Sequence, residues 1–254
     1  MLLRSAVFNV FLFVSTFALA IPGTFVRFAL PRRMLDFAKY WAGVELAAAR
    51  VLCGIHLNVT GLENLPEGPV MIASRHESAF DILAWLVIVP RPCFVVKREL
   101  TVLPIFGPMI LLAGMIPVDR EAGGTALRAL LREGERARAE GRQIVIFPEG
   151  TRVEPDDHPP LQPGAAALAS KTGLPVIPAM TNSGAHWGRR SFRKLAGTIH
   201  IVIHPPLPAR PGREALLRAL WTRFGGVEDV DKSVNTLAGQ DERQARVNSF
   251  APRG

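Results

Sequence analysis

A single α/β domain behind an N-terminal membrane-associated helical segment is the architecture this sequence predicts. Three observations lead there. From residue 53 to residue 225, short Val- and Ile-rich runs alternate with stretches of helical periodicity, the texture of strands and helices stacked in layers. The first 52 residues are more uniformly apolar. The chain has 254 residues, 48% of them hydrophobic, which suffices for one sizeable core and a short appendage.

The elements follow in order. Residues 5–26 are uncharged and flanked by Arg4 and Arg27, long enough to span a hydrocarbon core as a helix. Pro22 and Gly23 interrupt the run, so a single clean span is not assured. Ala18-Leu19-Ala20 resembles a cleavage site, so a signal peptide competes with a retained anchor or an interface-seated hairpin. The next stretch favours retention. Arg27, Arg32 and Arg33 lead into a helical pattern carrying Met34, Leu35, Phe37, Tyr40, Trp41, Val44 and Leu46, which suits a membrane interface.

Strands are predicted over 55–59, 70–73, 93–96, 144–147, 176–179 and 198–203, and helices over 78–89, 124–140, 164–172 and 214–224. In the second helix Leu127, Leu130, Leu131 and Ala137 mark one face, and Arg128, Arg132, Glu135 and Arg138 solvate the rest. Residues 153–163 hold four prolines and two aspartates and read as a surface loop. Residues 226–254 form a polar extension, with a short helix expected near 227–237 and a disordered end.

Thirty Lys and Arg against 22 Asp and Glu give a net charge of +8, which points to an anionic partner: nucleic acid, a membrane surface or a phosphorylated substrate. The aromatic content of 7%, with no alternation of basic and aromatic residues, argues against nucleic acid. Cys53 and Cys93 lack metal-like spacing and read as buried thiols in a reducing compartment. No metal cluster or dinucleotide fingerprint is present, so no cofactor is expected.

Four clusters lie just past predicted strands, where open α/β sheets place their ligands. In Ser74-Arg75-His76-Glu77-Ser78-Ala79-Phe80-Asp81, a histidine and an aspartate five apart would diverge on one straight helix. They can meet if His76 sits in the loop and Asp81 in the first turns. Asp81 would then hold one imidazole nitrogen and leave the other as a base. In Phe147-Pro148-Glu149-Gly150-Thr151-Arg152, backbone N–H groups and a planar guanidinium suit a phosphate oxygen, and Glu149 could orient the arginine. Gly114 to Arg120 and Lys97-Arg98-Glu99-Leu100 add cations beyond two more apolar runs. Each cluster taken alone also reads as an ordinary cap, turn or surface ion pair.

Together and in this order, the clusters resemble the 1-acylglycerol-3-phosphate acyltransferases, and Asn182-Ser183-Gly184 with Trp187-Gly188-Arg189-Arg190 further resembles their bacterial branch. His76 to Asp81 is similar to the family's H-x-x-x-x-D block, and Gly114-Met115-Ile116-Pro117-Val118-Asp119-Arg120 to G-x-I-x-x-x-R. Phe147 to Arg152 matches F-P-E-G-T-R outright. Leu174-Pro175-Val176-Ile177-Pro178 resembles the fourth block, with Leu174 where valine is usual, and Lys97 with Pro104 and Gly107 resembles the stretch between the first two. Glu77 stands where glutamine is often found.

The resemblance implies a glycerolipid-acyltransferase-like domain with a mixed, largely parallel sheet flanked by helices. It implies acyl transfer from acyl-CoA or acyl carrier protein to the free hydroxyl of lysophosphatidate, without a covalent acyl-enzyme. His76 would be the general base and Asp81 its partner. Lys97, Gly114, Ile116, Arg120, Glu149, Gly150, Thr151 and Arg152 would bind substrate. Membrane lipid is the implied partner, and the cytoplasmic face of the inner membrane the implied location. Another lyso-lipid acceptor, such as a lyso-ornithine lipid, and a lipid-binding protein without catalysis are the alternatives.

Overall fold

A computed structural model describes residues 1–119, 123–207 and 212–225. The polar extension and its expected short helix lie outside the described residues. Seven strands form one sheet in the order β1-β7-β6-β2-β5-β3-β4, with β1 Ile55–Thr60, β2 Val70–Ser74, β3 Pro92–Lys97, β4 Ile116–Val118, β5 Gln143–Ile146, β6 Val176–Thr181 and β7 Gly197–Ile203. The five strands from β6 to β4 run parallel, whereas β7 is antiparallel to β6 and β1 is parallel to β7. The sheet is therefore mixed and largely parallel, as expected.

Every residue of β2, β5 and β6 is buried, because helices cover both faces. The period of two then divides each strand between two cores. In β2, Val70 and Ile72 join Phe80, Trp85 and Phe8 on one face, while Met71 and Ala73 join Leu130, Leu168 and Leu220 on the other. The first face carries helices α1 Leu2–Ala29, α2 Met34–Ala48 and α3 Phe80–Ile88. The second carries α5 Gly123–Ala139, α6 Pro163–Thr172 and α8 Arg213–Arg223. Two short helices, α4 Phe106–Leu112 and α7 Ser183–His186, complete the set among the described residues.

The interruption expected at Pro22-Gly23 does not break α1, which is continuous for 28 residues with Pro22 inside it. Gly23 serves packing instead: a Cβ there would lie 2.7 Å from the Phe37 ring. Gly23 meets Phe37, Thr16 meets the Trp41 indole at 3.0 Å and Ser15 meets Glu45 at 2.6 Å, so α1 and α2 form an antiparallel hairpin. α1 is long and apolar enough to cross a membrane, and Leu3, Phe13, Ile21 and Phe28 on it are exposed.

Candidate active site

The parallel strands set the site. Because β6, β2, β5, β3 and β4 are neighbours pointing one way, whatever follows their carboxyl ends is arrayed along one sheet edge. His76 follows β2, Phe147 to Arg152 follow β5, and Lys97 ends β3. An open cavity of about 1130 Å³ runs along this edge, beyond the roughly 300–1,000 Å³ of ordinary small-molecule pockets. His76, Lys97, Gly150, Thr151 and Arg152 line it, and apolar side chains such as Trp41, Met109 and Leu127 continue its walls away from the polar centre.

The segment between β2 and α3 is folded around Asp81. Its Oδ2 accepts from the backbone N–H groups of Glu77 and Ser78, both at 2.9 Å, and lies 3.0 Å from His76 Nδ1. The Thr181 hydroxyl donates to Oδ1 at 3.4 Å from the end of the neighbouring β6. A carboxylate in the first turn of a helix thus gathers loop amides that would otherwise lack partners. This explains why α3 starts at Phe80, two residues later than expected. An Nδ1–H donated to Asp81 leaves Nε2 of this cavity-lining histidine able to accept a proton. The imidazole stacks on the Phe147 ring, centroids 3.9 Å apart, and Val153 N–H donates to the His76 carbonyl at 2.8 Å. The ring is held by an aromatic face, a carboxylate and its own backbone.

Two predicted substrate residues take other places. Ile116 is fully buried in the second core, and Gly114 (φ +80°) lies against the Arg142 guanidinium, where a Cβ would collide. That guanidinium donates to the carbonyls of Pro92 and Ala113 at 2.7 and 2.6 Å. Neither Gly114 nor Ile116 lines the cavity; they shape β4 and the turn before it. Arg120 lies outside the described residues.

Glu149 does not line the cavity either, so it is not in place to touch a substrate from that wall. It is buried, and both its carboxyl oxygens lack hydrogen-bond partners among the described residues. Burial pushes it up to about 8, against the pull of nearby backbone N–H groups and Arg75. A carboxyl raised in the folded state binds more protons there than in the unfolded chain, so its share of stability falls as pH climbs from about 5 to about 8. Glu149→Gln should flatten this slope and raise stability at pH 8 by about 3 kcal/mol relative to pH 5. Urea unfolding at both pH values measures it, and parallel slopes for the two proteins would refute the burial account.

Sequence reading missed Arg75. Its guanidinium is buried and donates to Glu77 Oε1 at 2.7 Å and to the carbonyls of Glu154, Pro155, Asp157 and Phe224. Burial pushes the Glu77 carboxyl up to about 7, against the opposing pull of Arg75 and the Gly184 N–H. The pair pins the loop that leaves Arg152 to the loop that holds His76. Thr181 was missed too; its place on the strand beside β2 was the only available signal.

The pattern that defines the acyltransferase family matches residues 56–182. A 1-acyl-sn-glycerol-3-phosphate acyltransferase of Pseudomonas aeruginosa is 34% identical over 209 residues, 82% of this chain and 81% of that protein. The human 1-acyl-sn-glycerol-3-phosphate acyltransferase alpha is 28% identical over 63% of this chain and 57% of its own length. In fold, the chain is similar to the crystal structure of the 1-acyl-sn-glycerophosphate acyltransferase PlsC of Thermotoga maritima. The TM-score is 0.71 at 22% identity, covering 94% of this chain and 98% of that one.

Proposed function

We propose that this chain, which belongs to the acyltransferase family, is a 1-acylglycerol-3-phosphate O-acyltransferase that converts lysophosphatidate to phosphatidate. The observation that carries this reading is His76, 3.0 Å from the buried Asp81, on the wall of a cavity that Arg152 and Lys97 also line. The names of the relatives supply the substrate class.

In the proposed reaction His76 Nε2 takes the proton of the acceptor hydroxyl as its oxygen attacks the thioester carbonyl carbon. Asp81 holds the tautomer and offsets the charge of the imidazolium. Collapse of the tetrahedral intermediate breaks the carbon–sulfur bond, and the proton passes from His76 to the departing thiolate. Holding hydroxyl and thioester together contributes several kcal/mol by removing the entropy of a bimolecular encounter. Arg152 and Lys97 hold the acceptor phosphate, joined by Arg120. Gly150, in the left-handed region at φ +75°, lets backbone approach that phosphate beside Thr151. The donor is an acyl thioester on coenzyme A or acyl carrier protein. α1 and α2 seat the enzyme on the cytoplasmic face of the inner membrane, where acceptor and product reside.

An acceptor panel tests this. Lysophosphatidate should be acylated, while monoacylglycerol and lyso-ornithine lipid should be poor acceptors; equal rates on all three would refute phosphate recognition. Arg152→Ala should raise KM for lysophosphatidate on the order of 10- to 100-fold, the worth of charge-assisted hydrogen bonds, with a smaller change in the donor KM. Equal changes in both would remove Arg152 from the acceptor site.

A further inference from the structure

Residues 188–195 form a loop to which the proposed proton transfer and phosphate contacts assign no role. The sequence Gly188-Arg189-Arg190-Ser191-Phe192-Arg193-Lys194-Leu195 follows Trp187 and precedes β7. Arg189, Arg190 and Arg193 are exposed, and their side chains have no ion-pair or hydrogen-bond partner among the described residues. Phe192 is 55% exposed between them. The chain has no acidic residue between Asp157 and Glu214, and none before Asp36, so both the loop and α1 come from acid-free stretches.

The loop is braced from beneath and tied to α1. Lys194, unlike the arginines, is buried: its ammonium lies 5.0 Å from the centre of the Trp187 ring and donates to the carbonyls of Ser191 at 2.8 Å and Phe192 at 3.3 Å. Asn9 of α1 donates to the Phe192 carbonyl at 3.0 Å, and Ser5 Oγ accepts the Lys194 N–H at 2.9 Å. Trp187 packs edge-on against Phe8 of α1, centroids 5.1 Å apart. Ser191 N–H closes a turn onto the Gly188 carbonyl at 3.1 Å, with Arg190 held at φ +56°. A non-glycine residue in that region is strained and persists only where its surroundings enforce it. Internal hydrogen bonds and one buried cation thus hold three cations and a phenylalanine out toward solvent, beside the apolar helix.

We propose that this loop is a docking surface for an anionic phospholipid bilayer. Arg189, Arg190 and Arg193 take headgroup phosphates, and Phe192 enters the interfacial zone next to α1. Cations near a bilayer surface with an aromatic between them match its charge and its layering, and guanidinium suits phosphate in particular. Arg189 and Arg190 also line the cavity that holds His76, so the docked loop would set the cavity mouth at headgroup level. The proposal rests on the reading that α1 enters the bilayer, but concerns a separate property, preference for anionic lipid.

The test is co-sedimentation of the full-length protein with vesicles. One set is phosphatidylcholine; the other is equal parts phosphatidylcholine and phosphatidylglycerol. Wild type should partition better into the anionic vesicles, with the preference falling as salt rises. The variant Arg189→Glu/Arg190→Glu/Arg193→Glu should lose about fivefold of that preference per arginine, on the order of 100-fold in all. Its binding to phosphatidylcholine should stay near wild type. A control, Arg128→Glu/Arg132→Glu/Arg138→Glu, makes the same charge change on α5 against the opposite sheet face, and should keep the preference. Equal loss in both variants would assign the effect to net charge and overturn the proposal, as would an unchanged preference in the loop variant. Loss of phosphatidylcholine binding in wild type would instead refute the seating of α1. Phe192→Ala should weaken binding to both vesicle types, with near-UV circular dichroism confirming that each variant is folded.

Discussion

His76→Ala should lower turnover by roughly 10²–10⁴, the worth of a positioned general base, with thermal unfolding little changed. The imidazole is held at one nitrogen by Asp81 Oδ2 at 3.0 Å and across one face by Phe147, so its removal deletes the proposed proton acceptor and leaves the frame standing. Asp81 itself is anchored by the Glu77 and Ser78 amides, which do not depend on the histidine. KM for the acceptor should change little, because the proposed phosphate contacts are made by other residues. Asp81→Asn should also cost turnover, since an amide can present N–H to Nδ1 and favour the wrong tautomer. Unlike His76→Ala, it should cost stability as well, because an amide oxygen accepts the two loop N–H groups more weakly than a carboxylate. Steady-state rates with urea midpoints for both variants separate these effects, and a His76→Ala enzyme at wild-type rate would end the general-base assignment.

The second large effect is on folding. Arg75→Ala should destabilise the protein by about 3–5 kcal/mol, the cost of leaving a buried partner charge uncompensated. Glu77 would stay buried without its cation, and the carbonyls of Glu154, Pro155, Asp157 and Phe224 would lose their donor. The tie between the loop after Arg152 and the His76 loop would loosen, so activity should fall even where the protein remains folded. Arg75→Met with Glu77→Leu should recover part of the loss, because it removes the stranded carboxylate, though not the unsatisfied carbonyls. Urea midpoints at constant slope measure both. A double variant no better than Arg75→Ala would shift the cost from the ion pair to the loop carbonyls.

Several particulars show what the sequence made legible. The six expected strands fall within two residues of those observed, because a sheet covered on both faces writes itself as short runs of buried Val and Ile. β4 escaped notice because it is three residues long with Pro117 at its centre, a residue that argues against a strand. α4 was hidden by Gly107 and Pro108 in its first turn. The meeting of His76 and Asp81 was legible because it needs only a strand-to-helix boundary between them. Arg75 was not, since most of its partners are backbone carbonyls 79 to 149 residues away, and carbonyls leave no mark on a sequence. Gly114 and Ile116 looked like binding residues because they flank an arginine in a motif. The structure gives them to packing, around the Arg142 guanidinium and in the second core.

In the proposed reaction the acyl group passes directly from the thioester to the lipid hydroxyl, with His76 as base and no acyl-enzyme. Labelled lysophosphatidate and an acyl thioester incubated with detergent-solubilised enzyme test it, with phosphatidate, free thiol and intact protein mass followed together. Phosphatidate and thiol should appear in equal amounts, with no acylated protein at any time. Thiol released without phosphatidate from either donor, or an acyl adduct that forms and decays at the rate of turnover, would contradict it.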